Sequence, residues 1–358
     1  MKRLDRYVAR HVVGATALAW LLVTAMDALV LLLGELGDIG RGQYQLADAA
    51  RYVLLSAPAA AWRLFPVSAL LGALLGLGTL AAHGELVALR LAGFSRPRLL
   101  RSVLQAGVLM LVLVVALGET LAPAAERQAR LQRALALFDR VALAGEQGLW
   151  VRDGSRFVHV AALDADGGLA GVSVFDFGPD RRLRSSLHAE RARHDGDGWR
   201  LLGVQESLFV RQGVETRRSA RLAWRTTLTP TLVKVLALDP DAMALGELQR
   251  YIRHLRASGL DAAPYRMAYW SRLAAPLSAL AMLALAVAFV LREAGRGGAG
   301  RRLFAGILVG LLYTLLDDLL AQAGLVYGLP APAVAVLPSL LVGGAAFALL
   351  GGRGARPA

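Results

Sequence analysis

The chain has 358 residues, of which 56% are hydrophobic and 19% charged, and its mean hydropathy is +0.49. That is more apolar surface than a soluble domain of this length can bury, which marks an integral membrane protein. A net charge of +13 would suit a nucleic-acid binder, but the charges sort by position along the chain, and the absence of cysteine excludes disulfides, thiolate chemistry and Cys-ligated metal.

Apolar runs long enough to cross about 30 Å of hydrocarbon as helices fall at 12–34, 53–82, 99–122, 267–291, 303–323 and 333–350, which predicts six spans in two groups of three. The first run is too long for a cleaved signal peptide and has no small-residue cleavage site after a short apolar core. Lys2, Arg3, Arg6 and Arg10 precede span one, Arg90, Arg96, Arg98 and Arg101 separate spans two and three, and Arg292, Arg296, Arg301 and Arg302 separate spans four and five. Arg353 and Arg356 follow span six, and only Asp5, Glu85 and Glu293 oppose all of these. By the positive-inside rule this side is cytoplasmic, so both termini lie inside and residues 123–265 outside.

Within the first group, span two passes without a linker into HGELVALRLAGFS at 83–95, a short charged amphipathic segment. A span feeding directly into a cytosolic helix is how a membrane subunit takes up force from a soluble motor. Asp27, Glu119, Arg272, Asp317 and Asp318 fall inside or at the ends of spans, where an ionised group costs roughly 2.5–3.5 kcal/mol at the bilayer centre unless it finds a partner or water. Arg272 and Asp317 or Asp318 sit at matching depths on spans four and five, which predicts an ion pair clamping those spans; Asp27 has no obvious neighbour. Pro58, Pro66 and Pro276 predict kinks, and Gly72 with Gly76 and Gly306 with Gly310 are small-residue pairs that permit close helix approach.

The outside region opens with AERQARLQRALALFDRV, a helical prolongation of span three. Then GLWVRDG, RFVHVAAL, AGVSVFDF, RRLRSSLHAERA, WRLLGVQESLFV and GVETRRSARLAW read as short strands between Asp- and Gly-rich turns. Their spacing predicts an antiparallel sandwich or jelly roll. After them Leu245, Leu248, Ile252 and Leu255 share a helical face, with Gly259 as the stop.

No catalytic site is assigned. The two lysines, Lys2 and Lys234, follow no glycine, which rules out a Walker A motif, and the Gly-rich 295–302 reads as a cytosolic turn. The six histidines show no metal-ligand spacing, so no metal site is assigned either.

Several linked motifs in order resemble the permease family of the lipopolysaccharide export ABC transporters, nearest its G-type branch. They are LDRY at 4–7, FPVSALLGALLGLGTLA at 65–81, GELVALRLAGFS at 84–95, GETLAPAAERQAR at 118–130, QGLWVRDGSRFVHV at 147–160, LTPTLVKVLALDPDAM at 228–243, SGLDAAPYR at 258–266 and VYGLPAPAVAVLPS at 326–339. The resemblance implies an α-helical membrane protein with six transmembrane helices (3+3) and an inserted periplasmic antiparallel β jelly roll. The domains would be 1–122 (spans one to three with a coupling helix at 84–95), 123–265 (the β domain with flanking helices) and 266–358 (spans four to six).

It further implies a multi-pass protein of a Gram-negative inner membrane that extracts lipopolysaccharide for export to the outer membrane. Its partners would be an F-type permease, two copies of a cytosolic ABC ATPase that binds the ATP, a C-type single-span anchor protein and a periplasmic bridge protein; no cofactor and no nucleic acid is expected on this chain. Gly84, Glu85, Leu86, Leu89, Arg90, Gly93, Phe94 and Ser95 would couple to the ATPase, with Glu85 and Arg90 as polar contacts and Leu86, Leu89 and Phe94 as apolar anchors. Asp27, Leu31, Arg63, Phe65, Leu312, Tyr313 and Leu316 would line a lipopolysaccharide cavity bounded by spans one, two and five. G-type relatives can carry lysine where Leu31 and Ala59 stand here, so Arg63, with Arg51 and Arg41 further out, becomes the candidate phosphate ligand. The competing reading is a mechanotransmitting ABC subunit that relays motion without moving lipid, but such proteins usually have four spans.

Overall fold

Hydrocarbon supplies no hydrogen-bond partner, so each apolar run closes its backbone bonds within itself as a helix. The computed structural model describes residues 3–138, 141–142, 149–153, 156–163, 168–178, 182–195, 198–210, 213–224, 226, 240–257, 261–293 and 299–351. Among them are α1 (Arg3–Glu35), α2 (Leu46–Ala82), α3 (Glu85–Leu91), α4 (Arg96–Ala116), α5 (Ala122–Phe138), α6 (Leu245–Ala257), α7 (Ala263–Glu293), α8 (Ala299–Val326) and α9 (Ala331–Gly351). Six are long and apolar enough to span a membrane: α1, α2, α4 running on into α5, α7, α8 and α9. α2 and α7 run through Pro58, Pro66 and Pro276 without interruption. The turn motif 295–302, the stop at Gly259 and the motif 228–243 lie wholly or in part outside the described residues.

The chain forms two compact units. In the first, α2 and α7 are the buried pair: 72% and 56% of their apolar windows are enclosed, against 6% for α1 and 11% for α8. The shared core runs through Phe65, Leu70, Leu74 and Leu77 of α2 and Met282, Leu283, Val287 and Val290 of α7. The predicted small-residue contacts form on opposite sides of α2. A Cβ on Gly72 would stand 2.2 Å from Thr16 Cα, and one on Gly76 would stand 2.8 Å from His11 O, so α1 lies directly against α2. Gly306 and Gly310 of α8 meet Leu74 and Val67 of α2 in the same way.

Between α4 and α5 the helix widens into a π turn, Leu117–Leu121, and this turn decides where Arg272 goes. Arg272 Nη1 donates to Glu119 Oε1 at 3.2 Å and to Gly118 O at 3.2 Å. Glu119 Oε2 accepts the Leu245 backbone N–H at 2.8 Å, which ties the start of α6 to the same carboxylate. The ion pair expected between Arg272 and Asp317 or Asp318 is therefore corrected: equal depth along two helices does not make their side chains face each other, and Arg272 faces α4.

The second unit holds an antiparallel sheet built from β1 (Val141–Ala142), β2 (Leu149–Asp153), β3 (Arg156–Leu163), β4 (Leu169–Phe177), β5 (Leu183–His194), β6 (Trp199–Val210) and β7 (Gly213–Trp224). From β3 to β7 each strand pairs with the next, and β1 and β2 both pair with β3, so the inserted β domain is antiparallel throughout with a meander order among the described strands. Alternation puts Val158, Val160, Val172, Val174, Leu187, Ala189 and Val204 on one buried face. Leu169 and Leu201 join the same cluster because the left-handed glycines Gly171 (φ +61°) and Gly203 (φ +63°) break the period, and Trp199 and Trp224 close its end. The same unit contains residues 35–52, where Arg133 of α5 donates to Glu35 at 2.7 Å and to Asp38 at 2.7 Å, and Tyr44 donates to Glu35 at 2.8 Å.

The helical unit makes two stability outcomes measurable. Gly72→Ala would destabilise by about 1–3 kcal/mol through overpacking against Thr16, read as a lowered Tm in detergent, while Gly14→Ala, with nothing near its Cβ, would leave Tm level or raised. Arg272→Met, which strands Glu119, would cost on the order of 3 kcal/mol, and adding Glu119→Gln would recover part of the loss; equal Tm for the single and double variants would refute the pairing.

Candidate functional site

The candidate residues fall in two regions, one at the end of the bundle where α3 sits and one along α1, α2 and α8. α3 is set by glycine at both ends. Gly84 (φ +75°) takes the left-handed conformation that lets the chain leave α2 and start again at once, and Gly93 (φ +81°) ends the helix, with the Phe94 N–H donating back to Leu89 O at 2.9 Å. Ser95 then caps α4 in extended conformation (φ −68°, ψ 157°), and Pro97 follows in its first turn.

The helix has two apolar stripes. Leu86 (3% exposed), Leu89 (7%) and Phe94 (4%) turn inward and join the bundle core beside Leu80 and Leu99. Val87 (54%) and Leu91 (86%) stay open, with Arg90 beside them. Leu86, Leu89 and Phe94, expected as apolar anchors for a motor, pack into the chain's own core, and the outward apolar side chains of α3 are Val87 and Leu91. Their i, i+4 spacing is visible in sequence, but so is the competing stripe, and only the packing of α3 on the bundle selects between them. Glu85 is half-buried and accepts the Tyr7 hydroxyl at 2.6 Å.

In the second region α1 and α8 lie on opposite faces of α2, so the three spans named for the cavity are neighbours. Arg63 Nη2 comes within 3.4 Å of Asp27 Oδ1, which supplies the neighbour Asp27 lacked in sequence. The Arg63 side chain remains 71% exposed, free to turn toward an anion. One helical turn or so away, Trp20 Nε1 donates to Ala61 O at 2.7 Å and packs edge-on against Phe65. Leu31 and Leu316 are half-buried and Leu312 is 64% exposed.

Phe65 (2%) and Tyr313 (9%), expected along the cavity, are buried in the core of the helical unit. Both are large side chains on faces that pack against neighbouring helices, and in an apolar span the sequence does not distinguish a helix-facing from a lipid-facing aromatic. Further out, Arg41 is engaged by Asp38 at 2.7 Å. Arg133, which sequence reasoning did not single out, is held by Glu35 and Asp38. Burial and the Glu35 carboxylate push the Tyr44 hydroxyl well above its ordinary pKa, so it stays a donor to Glu35.

A family model described as lipopolysaccharide export system permease LptF/LptG matches residues 6–351. The chain is 35% identical over 339 residues to the lipopolysaccharide export system permease protein LptG of Escherichia coli K12, an alignment covering 94% of each protein. It is 32% identical over 340 residues to the protein of the same description from Haemophilus influenzae, covering 94% of this chain and 95% of that one. The match spans both the six-helix unit and the inserted sheet, and the chain belongs to the LptF/LptG family of lipopolysaccharide export permeases.

Proposed function

We propose that the chain is the G-type permease subunit of an ABC exporter that lifts lipopolysaccharide out of the inner membrane and hands it to a periplasmic bridge on its way to the outer membrane. One observation carries the reading of how it does so: α3 is packed into the bundle by Leu86, Leu89 and Phe94 while Val87, Arg90 and Leu91 face outward. A helix rooted in this way transmits a push from outside to the spans with little slack, because interiors are close-packed. The push comes from a cytosolic ATPase, two copies of which bind and hydrolyse the ATP; this chain supplies no nucleotide chemistry. An F-type permease completes the cavity, and a C-type single-span protein joins the complex.

The cargo sets the physics of the path. An acyl chain of about a dozen carbons costs on the order of 10 kcal/mol to expose to water at about 0.8 kcal/mol per CH₂. The route must therefore remain apolar and change volume, and the wall of α1, α2 and α8 supports this. Along α1, Leu18, Leu22, Met26 and Leu29 present apolar surface, as do Leu308, Leu312 and Leu315 along α8. Arg63 offers a guanidinium for a headgroup phosphate, with Asp27 holding it until the anion arrives. Closure of the ATPase pair, received at Val87–Leu91, shrinks this space and drives lipid toward the periplasmic β domain. Both termini are then cytoplasmic and residues 123–265 periplasmic.

The reading is tested by photocrosslinking in vesicles that contain lipopolysaccharide, the F-type permease and the ATPase. Probes at Leu31, Leu312 and Leu316 should give lipopolysaccharide adducts that diminish on ATP addition, and a probe at Phe65 should give none; adducts at Phe65 alone would overturn the proposed wall. Leu91→Arg should lower ATPase retention on the detergent-extracted complex by about tenfold, the scale of a central interface contact. Phe94→Ala should instead lower Tm, at a cost of about 3–5 kcal/mol, because it opens a cavity in the bundle.

A further inference from the structure

The start of α1 is fastened to both sides of α3. Tyr7 Oη donates to Glu85 Oε2 at 2.6 Å, at the first residue of α3. Two residues earlier, Asp5 accepts from Arg98 through both carboxylate oxygens, Nε at 3.1 Å and Nη2 at 3.2 Å, and from Ser102 Oγ at 3.0 Å, in the first two turns of α4. The same guanidinium lies 4.7 Å over the Phe94 ring, in the link between α3 and α4. His11 packs on the Tyr7 ring at 4.4 Å, and its Nδ1 lies 3.0 Å from Tyr7 O, which limits where the hydroxyl can swing. The contacts join residues 78 to 97 positions apart, so they are tertiary ties and not helix-local pairs.

Elsewhere α1 is little enclosed and held at a few points. Its apolar window is the least enclosed of the six; beyond the stretch facing Gly72 and Gly76 its ties are Trp20 Nε1 to Ala61 O at 2.7 Å with the Trp20 ring on Phe65, Asp27 to the exposed Arg63 at 3.4 Å, and Glu35 at its last residue, which accepts from Arg133 and Tyr44. A continuous helix of 33 residues is about 50 Å long, so a small tilt imposed at its first two turns is carried along the whole span.

We propose that Asp5, Tyr7 and Arg98 are positioning residues that make α1 a lever driven directly by α3, bypassing the core of α2 and α7. Displacement of α3 pulls Glu85 and Phe94, and with them Tyr7 and Asp5; α1, little enclosed along its apolar span, then tilts about its ties at Trp20 and Glu35 relative to α2 and α8 and changes the width of the apolar wall. The ion pair sets direction and the tyrosine hydroxyl sets register. This inference rests on the permease reading above and adds to it the side chains that carry motion from the docking helix to one specific span.

The test uses the complete permease and ATPase complex in vesicles, with ATP hydrolysis and lipopolysaccharide release measured on the same sample. Tyr7→Phe and Arg98→Gln should keep ATPase retention and hydrolysis within about twofold while release falls about tenfold, and the charge exchange Asp5→Arg with Arg98→Asp should restore much of the release lost in Arg98→Asp alone. Unchanged release in both single variants would overturn the lever, as would hydrolysis, retention and release falling together, which marks a purely structural tie. A wild-type chain that retains no ATPase would refute the permease reading itself, an outcome separable from the other two.

Discussion

An ionised side chain in hydrocarbon must be matched or solvated, and much of the architecture of the helical unit answers that demand. Glu119 and Arg272 meet at 3.2 Å where a π turn opens the helix, and the spare carboxylate oxygen takes the backbone N–H that begins α6. The pair joins span three to span four, and α6 is tied to the same carboxylate. Uncharged polar groups follow the same rule on a smaller scale: Trp20 Nε1 finds Ala61 O, and Ser278 and Ser339 meet at 2.6 Å between α7 and α9.

Apolar side chains face no such demand in a membrane, since lipid is as apolar as leucine. The exposed leucines of α1 and α8 therefore mark the surface available to lipid or to another span, and their burial has to come from shape. That explains why close helix contact in this protein depends on glycine. Gly72 and Gly76 admit α1, while Gly306 and Gly310 admit α2 side chains, and α2 becomes the fixed axis between two helices with open outer faces. Those outer faces present exposed leucines, beside which the Arg63 guanidinium lies 3.4 Å from Asp27.

Outside the hydrocarbon, burial again sorts apolar from polar. α3 resembles a surface helix of a soluble protein, one stripe inward and one outward, and its short length is set by the left-handed glycines at Gly84 and Gly93. The β domain likewise segregates a buried face of Val, Leu and Ala from a polar one by alternation along its strands, reset at Gly171 and Gly203. Strand limits are readable from sequence for that reason: a period of two with Asp–Gly punctuation leaves little choice of register.

Six spans, the inserted antiparallel sheet, α6 and a short helix within 84–95 are all legible in the chain itself, because hydropathy, periodicity and helix-ending glycines are local properties that survive in one dimension; the helices themselves run past the apolar stretches, as α1 does from Arg3. Which side of each helix faces which neighbour is not. From sequence, Leu86, Leu89 and Phe94 read as outward anchors, Phe65 and Tyr313 as cavity lining, and Arg272 as a partner of Asp317 or Asp318; the folded chain turns all six side chains elsewhere. Azimuth depends on the summed packing of several helices at once, and in spans that are apolar on every face no one-sided stripe records it. Composition and pattern thus determined what this protein is made of and where it resides, while tertiary packing alone decided which residues hold the bundle together and which are left open to meet a partner or a lipid.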